Sequence, residues 1–281
     1  MTSLRLFPRI TLGFAVLSVI LMFPSLTICA PVVFSASGPN SAGIQATVDV
    51  FRTTLGALNP NVAGSFGSGR REINWDGVPD ALSAPNNLPA NFFNVNSPRG
   101  VIFSTAGTGF QVSGNAGVAP VRFDNINATY SNTFQTFSPQ RLFTALGSNI
   151  LDVNFFVAGT AIPASVSGFG SVFSDVDLVG VTSIQFFDTN NLSLGTFNAQ
   201  PFNNGLSFLG VFFNAGERVG RVRITSGNVP LGPNDGPGTD VVVMDDFIYG
   251  EPQAVPEPAT LVLLGSGLAG VGAAVRRRRQ A

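Results

Sequence analysis

The sequence contains no lysine and no histidine, and its one cysteine, Cys29, falls within the first thirty residues. Without histidine, neither a Ser-His-Asp triad nor a His-ligated metal site can be assembled. Without a thiol in the body of the chain, cysteine nucleophiles and disulfides are excluded there too, so packing alone must hold the fold. Charged residues make up only 11% of the chain, whereas glycine (32) and phenylalanine (26) are abundant and are joined by many Asn, Ser and Thr. That balance suits short strands broken by frequent turns and not long, solvent-facing helices.

The few charges are unevenly placed. Arg5, Arg9 and Arg276 to Arg279 lie near the ends, so residues 31–258 keep nine arginines against all sixteen acidic residues, a net charge of −7. An acidic body argues against nucleic acid as a partner.

Both ends read as targeting sequence. Arg5 and Arg9 precede an uncharged apolar run from Ile10 to Phe23 and then Thr27-Ile28-Cys29-Ala30. A basic start, a short apolar stretch and a small residue at the cut predict a signal peptide over 1–30, cleaved near Ala30 and handled by the Sec export machinery. An uncleaved anchor and a lipoprotein signal ending at Cys29 are the alternatives, and the bulky Ile28 disfavours the second.

At the other end Ala259 to Val275 carries no charge, and Arg276-Arg277-Arg278-Arg279 follows directly. Seventeen helical residues reach about 25 Å, enough for a bilayer core with some thinning. The arginines would act as the membrane stop and stay in the cytoplasm. Just before this run stands Val255-Pro256-Glu257-Pro258, with Gln253 to Pro258 expected to form a stiff extended spacer.

The order of that motif, the apolar segment and the arginine cluster resembles the PEP-CTERM sorting signal of bacteria, many of which make exopolysaccharide or biofilm. The resemblance covers 253–281 and implies processing by exosortase, an integral-membrane cysteine transpeptidase. An exported precursor would be held in the inner membrane by its C-terminal helix, then displayed at the cell surface or in the extracellular matrix.

Between the two signals, residues 31–252 predict a mainly β ectodomain, a jelly-roll-like β-sandwich with one short N-terminal helix. Ile44, Val48, Phe51 and Leu55 recur at helical spacing, with Ser41 as cap and Gly56 as stop, in a helix expected to cover an edge or end of a sheet. Residues 64–100 break into Gly, Pro and Asn turns around Trp75, either a core plug or a stacking platform for a glycan. Beyond Gly100 strands dominate. Leu151, Val153, Phe155 and Val157 alternate, Val181 to Asp188 and Leu192 to Phe197 read as a hairpin, and Arg221 and Arg223 oppose Val222 and Ile224. Nine or ten such strands predict a sandwich.

The run from Gly168 to Asp177, with Ile184 to Asp188 and Met244 to Ile248, is similar to ectodomains found in front of such tails, and no named activity comes with it. The closing Asp-Asp pair also looks like carbohydrate-binding jelly rolls, in which such an aspartate often ligates structural calcium. Asp175 and Asp177, two apart on a strand, share a face and with Asp245 and Asp246 make a candidate calcium set. Local turn-capping is the competing reading. No residue is singled out as catalytic. The expectation is a non-enzymatic surface or matrix protein contacting extracellular polysaccharide. A calcium-stabilised carbohydrate-binding module and a secreted glycoside hydrolase using paired carboxylates are the rivals.

Overall fold

The computed structural model describes residues 30–114 and 121–255. The predicted signal peptide up to Cys29, Pro256-Glu257-Pro258, the apolar run 259–275 and Arg276 to Arg279 lie outside the described residues.

In chain order the elements are β1 (Val32–Gly38), α1 (Ser41–Leu55), β2 (Arg70–Ile73), α2 (Phe92–Val95), β3 (Val101–Ser104), β4 (Gly109–Val112) and α3 (Tyr130–Thr133). Then come β5 (Phe143–Leu146), β6 (Ile150–Phe155), β7 (Ala164–Ser165), β8 (Gly168–Val176), β9 (Ser183–Asp188) and β10 (Ser193–Asn198). β11 (Phe202–Phe212), β12 (Val219–Thr225), β13 (Val243–Gly250) and β14 (Gln253–Ala254) complete the set.

The chain is mainly β, and its strands form two large sheets. One runs β1-β11-β8-β13-β5-β4, with β2 also paired to β13, and the other runs β10-β9-β12-β6-β3. A two-stranded piece joins β14 to β7. Every pairing between named strands is antiparallel. Apolar side chains of both sheets meet in one core: Leu151 and Val153 of β6, Ile184 and Phe186 of β9 and Val222 and Ile224 of β12 pack with Phe169 and Phe173 of β8 and Phe247 and Tyr249 of β13. The predicted alternation holds in β12, where Arg221 and Arg223 turn outward to Asp152 while Val222 and Ile224 are buried, and in β6 from Leu151 to Phe155, but not at Val157, which lies beyond the end of the strand and is only half-buried.

The helix forms where its spacing predicts, with two corrections. Asn40, and not Ser41, caps it, its Oδ1 accepting the Ala42 N–H at 3.1 Å, and Gly56 ends it at φ 103°. It also covers the outer face of a sheet, not an edge or end. Ile44, Val48, Phe51 and Leu55 bury against Val172, Leu206, Phe208 and Ile248. All of β8 and β13 is buried, on one side by the opposite sheet and on the other by α1 over Val172 and Ile248 and by the segment between Phe123 and Leu142 over Ser174, Val243 and Asp246. Gly170 and Gly210, paired across β8 and β11, sit beneath Phe51; a Cβ on Gly170 would stand 2.9 Å from that ring. Glycine is what lets the helix come this close.

The Gly-rich segment before Gly100 holds a strand that its turns concealed. β2 pairs with β13, Ile73 opposite Phe247 and Arg70 opposite Gly250.

Candidate functional site

Strand pairing sets where the tail departs. Gln253 pairs with Ser165, Ala254 with Ala164, and the Val255 N–H donates to the Pro163 carbonyl at 3.0 Å. The stiff extended spacer expected from Gln253 is extended in its first residues, but these are part of the folded body and not of a linker, because the β7 edge offers backbone partners. Only the residues beyond Val255 are left to link body and apolar run.

Next to this exit lies a cleft of about 720 Å3, lined by Asn154, Asp188, Asn190, Asn191, Arg221 and Val255 among others. Arg221 bonds Asp152 and Asn191, with its guanidinium 3.7 Å from the centre of the Phe187 ring. Asp188, the one carboxylate lining the cleft, accepts the N–H groups of Asn190 and Leu192 within its own hairpin turn.

Immediately before β14 stands an ion pair that no sequence motif singled out. Arg71 and Glu251 have side chains 0% and 1% exposed. Arg71 Nε and Nη2 reach the two Glu251 oxygens at 2.8 and 2.9 Å, and Nη1 and Nη2 also donate to the carbonyls of Pro60, Val62, Gly64 and Pro98. Glu251 in turn accepts from Asn59 and from the Phe66 N–H. One guanidinium therefore ties the loop between α1 and β2 to the root of the tail. Its one sequence signal is an acidic residue directly before Pro252 and a pair of adjacent arginines, in a chain with few charges.

The four aspartates of the candidate calcium set do not converge. Among the described residues no group of three or more His, Cys, Asp or Glu side chains is placed to hold a metal ion. Asp245 and Asp246 fall at a bulge in β13, where Met244 opposes Phe173 but Phe247 opposes Ser171. The extra residue turns both carboxylates towards the segment around Ser138. Asp245 accepts the Phe137 N–H at 2.6 Å, the Ser138 hydroxyl reaches Asp246 at 2.6 Å, and Arg52 bridges Asp246 and Glu72. Burial, then the neighbouring Asp246 charge, pushes the Asp245 carboxyl well above the ordinary carboxylate range. Asp246 is raised to about 6 by burial, against the pull of Ser138, Asp245 and Arg52. These groups bond the protein to itself and present no free oxygens to a cation.

Asp175 and Asp177 do not share the face of one extended strand. Asp175 has φ 67°, and β8 ends at Val176. Asp175 is 2% exposed and accepts the Asn204 N–H at 2.7 Å, while Asp240 accepts the N–H groups of Asp177 and Leu178. Burial raises Asp175 to about 7, with the charges of Asp177, Asp235 and Asp240 adding to it.

A carboxyl with a folded pKa above its unfolded value of about 4 binds more protons when folded, so its contribution is full below pH 4 and is lost as pH rises towards 7. Melting temperature is therefore expected to fall between pH 4 and pH 7 for the wild type, through Asp175 and, in the same direction, Asp246. Asp175→Asn keeps an acceptor for the Asn204 N–H, tolerates the positive φ and removes the charge. It should raise stability at pH 8 by roughly 2 to 4 kcal/mol and flatten the melting-temperature profile; a profile as steep as the wild type's would reject the assignment.

Trp75 has no face open to a sugar ring. It is 1% exposed, stacked on Phe143 at 4.0 Å between centroids and edge-on to Phe93 and Phe247, with Nε1 donating to the Asp245 carbonyl at 2.8 Å. The glycan-stacking expectation is corrected to the core-plug one, because a flat, largely apolar side chain gains more by filling the space between sheets than by facing water.

Comparison with known families places a match at the junction of body and tail: residues 254–279 fit the family model of the PEP-CTERM protein-sorting motif. No curated protein and no solved structure matches the chain. The match begins at Ala254, the last residue of β14, so the motif starts where the folded body stops. The chain therefore carries a PEP-CTERM protein-sorting motif, the mark of an exported protein whose membrane-anchored precursor is processed by exosortase.

Proposed function

We propose that this protein is a non-enzymatic surface or matrix component, its β-sandwich displayed or released by exosortase and in contact with extracellular polysaccharide. The observation that carries this reading is the sorting motif beginning on the last strand of a folded domain. The N-terminal basic and apolar residues act as a Sec-type signal peptide in this reading, and 259–275 as the temporary membrane span. Supporting a structural role, the cleft beside the exit holds a single carboxylate, Asp188, already engaged in its turn, where glycoside hydrolysis needs two opposed carboxyl groups. Supporting contact with saccharide, the same cleft offers the amides of Asn154, Asn190 and Asn191 beside Arg221.

The jelly-roll reading belongs to the same proposal. It is supported by strand order: β5-β13-β8-β11 in one sheet faces β6-β12-β9-β10 in the other, with the chain alternating between sheets as two Greek keys do.

Comparing the intact mass of the protein from cells with and without exosortase tests the processing. The expected result is loss of the tail in the first case only; an uncut C-terminus in both would reject it. A glycan array probed with the processed protein tests the polysaccharide contact, and no binding to any acidic or neutral polysaccharide would remove that part.

A further inference from the structure

We infer that the end of the sandwich from which the tail departs is a lipid-contacting surface, seated on the bilayer for as long as the precursor is anchored. This rests on the reading of 259–275 as a membrane span and adds to it an orientation and a set of contacts.

The first observation is where the exposed apolar side chains lie. Leu58, Val62, Phe66, Val95, Ile162 and Leu192 are all exposed. Each maps to the exit end through its neighbours. Leu58 bridges Arg70, which pairs with Gly250 at the end of β13. The Val62 carbonyl accepts from Arg71, and the Phe66 N–H donates to Glu251. Val95 follows Asn94, which bonds both Gly159 and Thr160. Ile162 precedes Pro163, the acceptor of the Val255 N–H, and Leu192 closes the turn whose Asp188 pairs with Val219, itself bridged to Val166.

Val32 and Val33 are exposed at the same level, since Val32 pairs with Phe212 and Phe212 with Gly168. The N-terminal side of the body thus leaves from this end as well. Among the described residues the remaining exposed large apolar side chains are Val50 on α1, and Ile150 and Val179 at the opposite end. Scattered apolar residues are ordinary on a surface, but a collection at one end marks a contact site.

The second observation is the length of the tether. The pairing of β14 consumes the chain up to Ala254, and Val255 is bonded to Pro163. From Val255 to Ala259 there are four residue steps, which extend to at most about 14 Å. The nine residues of β8 alone run about 30 Å along the sandwich. So short a link, starting from a paired strand, cannot swing the far end of the domain to the bilayer, and it leaves the apolar end facing the interface.

The test uses the full-length chain with Cys29→Ser as background, reconstituted into vesicles of phosphatidylethanolamine and phosphatidylglycerol. Single cysteines at Phe66, Ile162 and Leu192, and at Val179 as the far-end control, are labelled with an environment-sensitive fluorophore. The expected result is emission shifted to shorter wavelength and quenched by nitroxide-bearing lipids at the first three positions and not at Val179. A label at Gly270 separates the lipid contact from the span. Quenching at Gly270 without quenching at Phe66, Ile162 and Leu192 overturns the lipid contact while leaving the span intact, and no quenching at Gly270 overturns both. A shift that depends on protein concentration and not on lipid would assign this end to a second copy of the chain, and also overturns the proposal. Emission of the sole tryptophan, Trp75, checks that each variant is folded.

Discussion

Glu251→Ala is expected to destabilise the domain by about 3 to 5 kcal/mol, because it leaves the Arg71 guanidinium buried with its counter-charge removed. The remaining partners of Arg71 are four carbonyl dipoles and the Phe66 ring, which carry no full negative charge to replace the carboxylate. Arg71→Met should cost a similar amount for the opposite reason: it strands the Glu251 carboxylate and frees four loop carbonyls that one side chain had gathered. The double variant Arg71→Met with Glu251→Leu is expected to lose less than the two single losses added, because a buried pair replaced by apolar groups is often close to neutral. Urea denaturation followed by Trp75 emission measures all three. Single variants within about 1 kcal/mol of wild type would show that water reaches the pair and that burial does not set its strength. The position of the pair adds a second readout. Since Glu251 also holds Asn59 and Phe66 from the loop between α1 and β2, limited proteolysis should cut that loop sooner in Glu251→Ala than in wild type.

Trp75→Ala is the other large effect, expected at about 4 kcal/mol or more: truncating a buried aromatic costs about 3 to 5 kcal/mol through lost transfer and cavity terms. Four ring contacts, to Phe93, Phe103, Phe143 and Phe247, would lose their partner, and the Asp245 carbonyl would lose its donor. That carbonyl belongs to the bulge that aims Asp245 and Asp246, so the variant should also alter how the two carboxylates titrate. Trp75→Phe keeps most of the packing and loses the N–H; it should cost less than half as much. Far-UV circular dichroism against urea is the measurement, since the intrinsic fluorophore is gone. A loss under about 1 kcal/mol for Trp75→Ala would mean that Phe93, Phe143 and Phe247 close over the gap.

Parts of this architecture were open to reading from residue order because they depend on local periodicity. Helix α1 shows in the spacing of Ile44, Val48, Phe51 and Leu55, and β6 and the Arg221 to Thr225 part of β12 in alternation, since each buries one face and leaves the other nearer to water. The loop before Gly100 hid β2 because four residues between glycines carry too little pattern, and their strand status comes from β13 lying alongside. The aspartates misled for a related reason. Two positions apart means one face only if the backbone is extended, and Asp175 at φ 67° is not. Adjacent Asp245 and Asp246 should point to opposite faces, and a bulge brings them to one. Neither departure has a signature in a single sequence, because each is set by the register of a partner strand far along the chain.

The sequence by itself carried the sorting motif that marks an exported protein: Pro-Glu-Pro ahead of an apolar run closed by arginines. Such signals are linear, made to be recognised in an extended or membrane-bound chain, so order and composition suffice. Only the tertiary structure decided that Trp75 is enclosed, that Arg71 and Glu251 meet across 180 residues, and that the exposed apolar side chains gather where the tail departs. Those outcomes depend on which strands pair and at what register, and that is chosen by the summed burial of both sheets and not by any short run of residues.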